Sequence, residues 1–258
     1  ERLGMDAPLE TFVYPDATFN AAAVRPEGGC LFVMVSSSLL DDFEDGELAF
    51  VVGHELGHHL FDHLSIPMAA VLEGDERLDP GTLLKLFSWK RYAEISCDRA
   101  GLVCAGGLEP CLNALFKVAS GLRGDRVKIQ LEPVLRQLAD LQEEARRLAR
   151  TDEPVRADWF STHPFSPMRL KAAQLFAASE LMTQGGVAVD ELEAQIQDLM
   201  DLMDPGYLQD RSEEAEAMRR LLFAGGVLLS VADGRVSKET LDALEQMLEM
   251  ARRHGEDG

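Results

Sequence analysis

The residues with the clearest chemical potential lie in the sequence His54-Glu55-Leu56-Gly57-His58. Because residues four apart share one face of a helix, His54 and His58 can present two imidazoles to one metal ion. Glu55 is offset by one position, so its carboxylate can reach a water in the remaining coordination position. Zinc lowers the pKa of bound water to about 7, and a nearby carboxylate can take the proton as water attacks a carbonyl. The spacing predicts a metal-dependent peptidase; the alternative is a helix that merely carries histidines.

A third ligand must come from another segment, since catalytic zinc usually takes three protein ligands. Glu94 and Asp98 are four apart and share one face of a second predicted helix. An acidic ligand from this helix would complete a His2Glu site, and Asp98 could accept the second ring N–H of a ligand histidine. The alternative is a pair of solvated carboxylates on an amphipathic helix.

The helix that must carry the motif is predicted to begin after Asp45, a suitable N-cap. Its apolar residues recur at helical intervals: Leu48, Val51, Val52, Leu56 and Leu60. Gly53 and Gly57 weaken a helix, which indicates that a neighbouring element or a substrate packs closely there. His59 and His63 are predicted to turn away from the ligand face, either at the surface or supporting a ligand from behind.

A short strand is predicted before this helix, because apolar residues 31–35 follow the turn-forming residues 26–29. A peptidase can hold an extended substrate along an exposed strand edge, which makes Val33 and Val35 candidate substrate-binding residues. The alternative is a buried core strand. Asn20 is a further candidate for orienting substrate, with an ordinary turn residue as its alternative.

Four ordered sequence blocks resemble one family. The first block is Asn20-Ala21 with residues 31–40, and the second is the HELGH sequence. The third is E-x-x-x-D-R-x-G-L, which begins at Glu94, and the fourth is T-H-P-x-x-x-x-R, which begins at Thr162. Together, over residues 12–172, they resemble the gluzincin peptidases that include the heat-shock protease HtpX, the CAAX prenyl endopeptidases and their soluble relatives. The resemblance implies a mainly α fold with a small β-sheet (α+β) and one zinc ion per chain.

The resemblance also implies residue roles. The implied zinc ligands are His54, His58 and Glu94. Glu55 would be the general base and later the proton donor, and Asp98 would support a ligand from behind. His163 would stabilise the oxyanion, with a loop histidine as the alternative. Arg169 would organise the site or bind substrate, with an ordinary helix-starting residue as the alternative. A donor aimed at developing negative charge can lower the barrier by about 3 kcal/mol.

The composition becomes acidic from about residue 180, and glycine and proline breaks indicate a boundary within 182–206. We predict a metallopeptidase domain over 1–182 and a small all-helical domain over 206–258. The A-D-G-x-V-S-x-E sequence of residues 232–239 resembles the TerB-like helical domain of tellurite resistance. That resemblance implies a second metal site at Asp233 and Glu239; a turn and a capped helix in an interaction module is the favoured alternative.

The bulk composition excludes several classes of partner. The chain has 258 residues, 46% of them hydrophobic, and a formal charge of −20, which argues against nucleic acid and anionic membranes as partners. No apolar run reaches the length of a transmembrane helix. We predict a cytoplasmic protein with reduced, buried thiols; the alternative is an exported protein with a disulfide involving Cys30. An upstream signal or anchor would lie outside a chain that begins at Glu1.

Three functions remain open at this stage. The leading one is a zinc endopeptidase that cleaves peptides or unfolded proteins and carries a C-terminal accessory domain. The second is a catalytically silent zinc scaffold with a binding or chaperone-like role, against which the intact Glu55 argues. The third is a stress-linked adaptor whose C-terminal domain binds a protein partner.

Overall fold

A computed structural model describes residues 2–66, 80–123, 133, 136 and 166–201. All of these except Pro80 and Gly81 belong to one unit, Glu1–Leu78 with Thr82–Asp204. The remainder, Asp79–Gly81 with Pro205–Gly258, forms a second unit of which only Pro80 and Gly81 are described. The predicted domain boundary therefore stays a prediction.

Three strands form one mixed sheet: β1 (Leu9–Tyr14), β2 (Ala21–Glu27) and β3 (Cys30–Ser36). β3 is the central strand, parallel to β1 and antiparallel to β2. The chain reverses between β2 and β3 at Gly28 and Gly29, whose φ values of 61° and 80° lie in the left-handed region that glycine adopts without steric cost. The turn and strand predicted over this segment are confirmed.

The expectation that β3 offers a free edge to substrate is wrong. Both edges of β3 are hydrogen-bonded to neighbouring strands, and Val33 and Val35 are buried in the core. A strand paired on both sides has no unpaired backbone groups with which to bind a peptide. Val33 and Val35 therefore serve as core residues beneath the site, which was the alternative interpretation of this strand.

The described helices are α1 (Ser37–Asp42), α2 (Asp45–Leu60), α3 (Pro80–Ala105), α4 (Leu108–Ser120), α5 (Ser166–Ala177) and α6 (Val189–Met200). Helix thus predominates over the small sheet, which confirms the predicted α+β class. Helix α2 packs against β2 and α4, and α5 packs between α4 and α6. Among these helices, none is both long and apolar enough to cross a bilayer.

Helix α2 begins one residue earlier than Asp45 would allow as its N-cap. Glu44 is the N-cap: its side chain accepts the N–H of Glu47, and the Glu47 carboxylate accepts the Glu44 N–H at 2.9 Å. Asp45 lies instead in the first turn, where its negative charge interacts favourably with the positive end of the helix dipole. Lys117 of α4 also binds the Glu47 carboxylate at 2.6 Å, which anchors this end of α2.

Small residues allow α2 and α3 to cross closely at the site. A Cβ placed on Gly53 would lie 2.5 Å from the Cβ of Cys104, and one on Gly57 would lie 3.0 Å from the Cα of Cys97. Both distances are shorter than normal carbon contacts, so these positions accept only glycine without a shift of the backbone. The close packing predicted for Gly53 and Gly57 is confirmed, and it brings the α3 carboxylates to the α2 histidines.

Candidate metal centre

Helices α2 and α3 bring two imidazoles and one carboxylate together. Nε2 of His54 lies 3.3 Å from one Glu94 carboxylate oxygen, and Nε2 of His58 lies 3.7 Å from the other. All three side chains are buried. Two atoms bound at about 2.1 Å to a tetrahedral zinc ion lie about 3.4 Å apart, so both distances match the edges of such a site. The donor types of His54, His58 and Glu94 suit zinc, and each imidazole lies near a different oxygen of the Glu94 carboxylate.

Cys97 offers a second candidate for the third ligand. A histidine nitrogen from each of His54 and His58 and the Cys97 Sγ lie within 4.8 Å of one another. The Glu94 oxygens lie 3.3 and 3.7 Å from the two Nε2 atoms, and Cys97 Sγ lies 3.4 Å from Nδ1 of His63. Burial raises the pKa of the Cys97 thiol, which disfavours the thiolate that a metal needs. This property makes Cys97 the weaker candidate, and Glu94 as the third ligand stays a prediction.

Asp98 lies behind the His54 ring, on the side away from Glu94. Oδ1 of Asp98 lies 2.9 Å from Nδ1 of His54, which leaves Nε2 directed at Glu94. The guanidinium of Arg169, from α5, donates to both Asp98 oxygens, at 2.8 Å from Nε and 2.6 Å from Nη2. Arg169 thus contacts His54 indirectly, through Asp98, and its role in organising the site stays a prediction.

Glu55 lies beside the ligands and in contact with the sheet. Its Oε2 accepts the backbone N–H of Ala23 in β2 at 2.7 Å, a backbone contact that no residue pattern indicated. Burial raises the pKa of Glu55, while the positive charge of His54 and the Ala23 N–H oppose the rise. A carboxylate with a raised pKa, held by one oxygen, is suited to accept and return a proton.

The two histidines of the motif differ in their affinity for protons. Burial alone would lower the pKa of His54, but hydrogen bonds to Asp98 and Glu94 raise it to about 9. Burial and the charge of His54 lower the pKa of His58 to about 3. At neutral pH His54 is therefore protonated in the metal-free protein, with one ring N–H directed at Asp98 and the other at Glu94.

The remaining candidates are only partly described. Asn20 donates its side-chain amide to the Tyr14 hydroxyl at 2.9 Å, and its backbone N–H donates to the Ser36 hydroxyl at 3.1 Å. These bonds join the ends of the strands, so a role for Asn20 in orienting substrate stays a prediction. The candidates His163, Asp233 and Glu239 lie outside the described residues.

His59 and His63, for which the sequence left a surface place or a supporting place open, have different surroundings in the structure. Nε2 of His59 lies 3.1 Å from the carbonyl oxygen of Phe32 in the sheet. His63 lies behind His58, with the two Nδ1 atoms 3.3 Å apart. The structure places none of the four cysteines in a disulfide: Cys97 and Cys111 are buried, and Cys30 and Cys104 are partly exposed.

Comparison with known proteins agrees with this site. The model of Peptidase family M48 matches residues 4–74 and 80–176. The plastoglobule-localized metallopeptidase 48, a chloroplastic protein of Arabidopsis thaliana, is 30% identical over 146 residues, which cover 53% of this chain and 42% of that protein. The chain thus spans less than half the length of that relative, and no solved structure matches it significantly. Because the family match extends over more than half of the chain and includes the HELGH and Glu94 segments, the chain belongs to peptidase family M48.

Proposed function

We propose that this chain is a zinc-dependent endopeptidase that hydrolyses peptides or unfolded protein segments. The observation that carries the proposal is the approach of the Glu94 carboxylate to Nε2 of both His54 and His58, at 3.3 and 3.7 Å. Membership in a family of metal-dependent peptidases supports the reaction class. The donor set of two imidazoles and one carboxylate supports zinc as the ion.

In the proposed mechanism, zinc bound by these three residues would activate a water molecule and polarise the substrate carbonyl. Glu55 accepts the proton of the attacking water and later returns it to the leaving amine. The raised pKa of its carboxyl group suits both transfers. Asp98 and Arg169 hold the His54 ring in the orientation that keeps Nε2 available. His163 is proposed to stabilise the oxyanion.

The sheet suggests how a peptide would bind. The Ala23 N–H points away from β3 and toward Glu55, so the outer edge of β2 runs beside the proposed base. Within the described sheet this edge is not paired with another strand. We therefore propose that an extended substrate lies along β2, where backbone hydrogen bonds would hold it independently of its sequence. This replaces β3 as the proposed substrate strand.

The proposal leaves the C-terminal segment with a separate role. Residues 206–258 are proposed to form a TerB-like helical accessory domain that binds a protein partner, with Asp233 and Glu239 as candidates for a second metal site. A cytoplasmic location also stays a prediction, because the location in the name of the Arabidopsis relative belongs to that protein. These proposals rest on the sequence patterns alone.

Zinc analysis combined with a cleavage assay tests the function. Purified protein should contain about one zinc ion per chain and cleave an unfolded protein such as casein. Glu55→Gln should retain zinc and lose cleavage, since it removes the base and keeps the side-chain size. Glu94→Ala should lose both. Zinc binding without cleavage in the wild type would favour a silent scaffold. Wild-type protein that binds no zinc after supplementation would contradict the proposed site.

A further inference from the structure

His63 lies next to the proposed zinc ligand His58, at the ring nitrogen that does not face Glu94. Its Nδ1 lies 3.3 Å from Nδ1 of His58, within hydrogen-bond reach. If both nitrogens carried protons they would repel, and if neither did, no hydrogen bond would form. A hydrogen bond at this position therefore requires one Nδ1 to donate and the other to accept.

The other ring nitrogen of His58, Nε2, determines which of the two Nδ1 atoms donates the hydrogen bond. Nε2 of His58 faces Glu94 and needs a free lone pair to bind a metal ion. The proton of neutral His58 then sits on Nδ1, which makes it the donor and Nδ1 of His63 the acceptor. We propose that His63 is a positioning residue that fixes the tautomer and ring orientation of His58. This inference rests on the proposed zinc site.

The local backbone explains how His63 reaches this place. Asp62 adopts a left-handed conformation with φ 55° and ψ 33°, which aspartate tolerates better than most residues. Its carbonyl accepts both the N–H and the hydroxyl of Ser65, at 3.1 and 2.8 Å. The chain leaves α2 and folds back so that His63 lies beneath His58. A continuous helix would have turned His63 away.

Aromatic neighbours hold the His63 ring in place. Trp89 of α3 packs edge-on at 5.6 Å between ring centroids, and Phe61 packs at 5.6 Å with a tilt of 34°. The ring thus has contacts on two sides that restrict its rotation. Since Trp89 lies five residues before Glu94, the helix that supplies the proposed carboxylate ligand also fixes the partner of His58.

Cys97 is the other donor near this nitrogen. Its Sγ lies 3.4 Å from Nδ1 of His63, and the thiol is fully buried. A thiol donates weakly, so the imidazole N–H of His58 is the stronger partner for the single lone pair. His58 would thereby have a neutral acceptor behind it, whereas His54 has the carboxylate of Asp98. The two metal ligands are supported by chemically different groups.

The first test measures zinc affinity by chelator competition. His63→Phe keeps a ring of similar shape and removes the acceptor, so the dissociation constant should rise about 10- to 100-fold. His63→Asn places an oxygen near the Nδ1 position and should remain close to wild type. His59→Gln is the matched control, because His59 contacts the Phe32 carbonyl rather than a ligand. Equal affinity of His63→Phe and wild type would overturn the inference.

A second test needs no variant and uses the zinc-loaded wild-type protein. Nitrogen-15 NMR at neutral pH should show His58 protonated on Nδ1 and His63 protonated on Nε2. Zinc-loaded protein in which His63 is protonated on Nδ1 would overturn the inference and leave the proposed zinc site standing. Wild-type protein that binds no zinc after supplementation would contradict the proposed function, and with it the inference that rests on it.

Discussion

A single carboxylate joins His54 to Arg169: Oδ1 of Asp98 lies 2.9 Å from Nδ1 of His54 and 2.6 Å from Nη2 of Arg169. The three residues come from α2, α3 and α5, and Asp98 is fully buried. The orientation of a proposed metal ligand therefore depends on a helix far along the sequence. Burial alone would raise the pKa of Asp98, but Arg169 and His54 hold it below its ordinary value.

We expect Arg169→Met to destabilise the protein by about 3–5 kcal/mol, because it leaves the buried Asp98 charge without its cation. Arg169→Lys keeps the positive charge but cannot form the bidentate contact, so this variant should lose less stability than Arg169→Met. The measurement is urea unfolding at neutral pH, with zinc affinity measured in parallel. A loss below about 1 kcal/mol for Arg169→Met would show that the ion pair is not a major contribution.

The same pair predicts a pH dependence of stability. A carboxyl group with a depressed pKa in the folded state stabilises the protein above its unfolded pKa of about 3.9, and this contribution is lost as pH falls through the folded pKa. Wild type should therefore lose stability on acidification below about pH 4. In Arg169→Met, protonation of Asp98 removes a buried, unpaired charge, so the difference in the free energy of unfolding from wild type should become smaller at acidic pH. A difference that does not change with pH would contradict the depressed pKa assigned to Asp98.

Zinc affinity itself should depend on pH through His54. Its pKa of about 9 means that, in protein stripped of metal by chelation, a proton must leave before zinc can bind. The affinity should rise about tenfold per pH unit between pH 7 and 9 and level off above. His58, with a pKa of about 3, should contribute no dependence in this range. Affinity that is flat from pH 7 to 9 would show that His54 is neutral there.

Much of this site followed from local spacing. The separation of four residues in His54/His58 and in Glu94/Asp98 placed each pair on one helical face, and helices α2 and α3 retain that spacing. The glycines signalled a close helix crossing, which the contacts of Gly57 with α3 confirm. Such features depend on backbone periodicity, which the sequence encodes locally.

Other features depend on long-range pairing or on one unusual backbone angle. β3 is the central strand, so the sheet edge beside Glu55 belongs to β2. No local pattern in the sequence distinguishes a central strand from an edge strand here. The Ala23 bond to Glu55 is a backbone contact and leaves no residue signature. His63 departs from its helical position because Asp62 turns left-handed, which the helical periodicity could not show.

The close crossing of α2 and α3 makes Gly57→Ala a sensitive test of ligand placement. Its Cβ would lie 3.0 Å from the backbone Cα of Cys97, so the two helices must separate. We expect a loss of about 1–3 kcal/mol in stability together with weaker zinc binding. Gly107→Ala is the control, since its Cβ would meet only Pro110 Cδ at an ordinary 3.9 Å. Unchanged zinc affinity in Gly57→Ala would show that the crossing does not set the site.

The backbone bond from β2 to Glu55 predicts a shift in the pH profile of cleavage. Ala23→Pro removes the N–H that accounts for the 2.7 Å contact, and proline is tolerated on an edge strand whose N–H points outward. That N–H lowers the pKa of Glu55, so its loss raises the pKa further. A base must be deprotonated to act, and the acidic limb of kcat/KM should therefore move to higher pH. Ala23→Ser keeps the N–H and should retain the wild-type profile. An acidic limb that stays in place in Ala23→Pro would show that another group sets it, and Glu55 would lose its assignment as the titrating base.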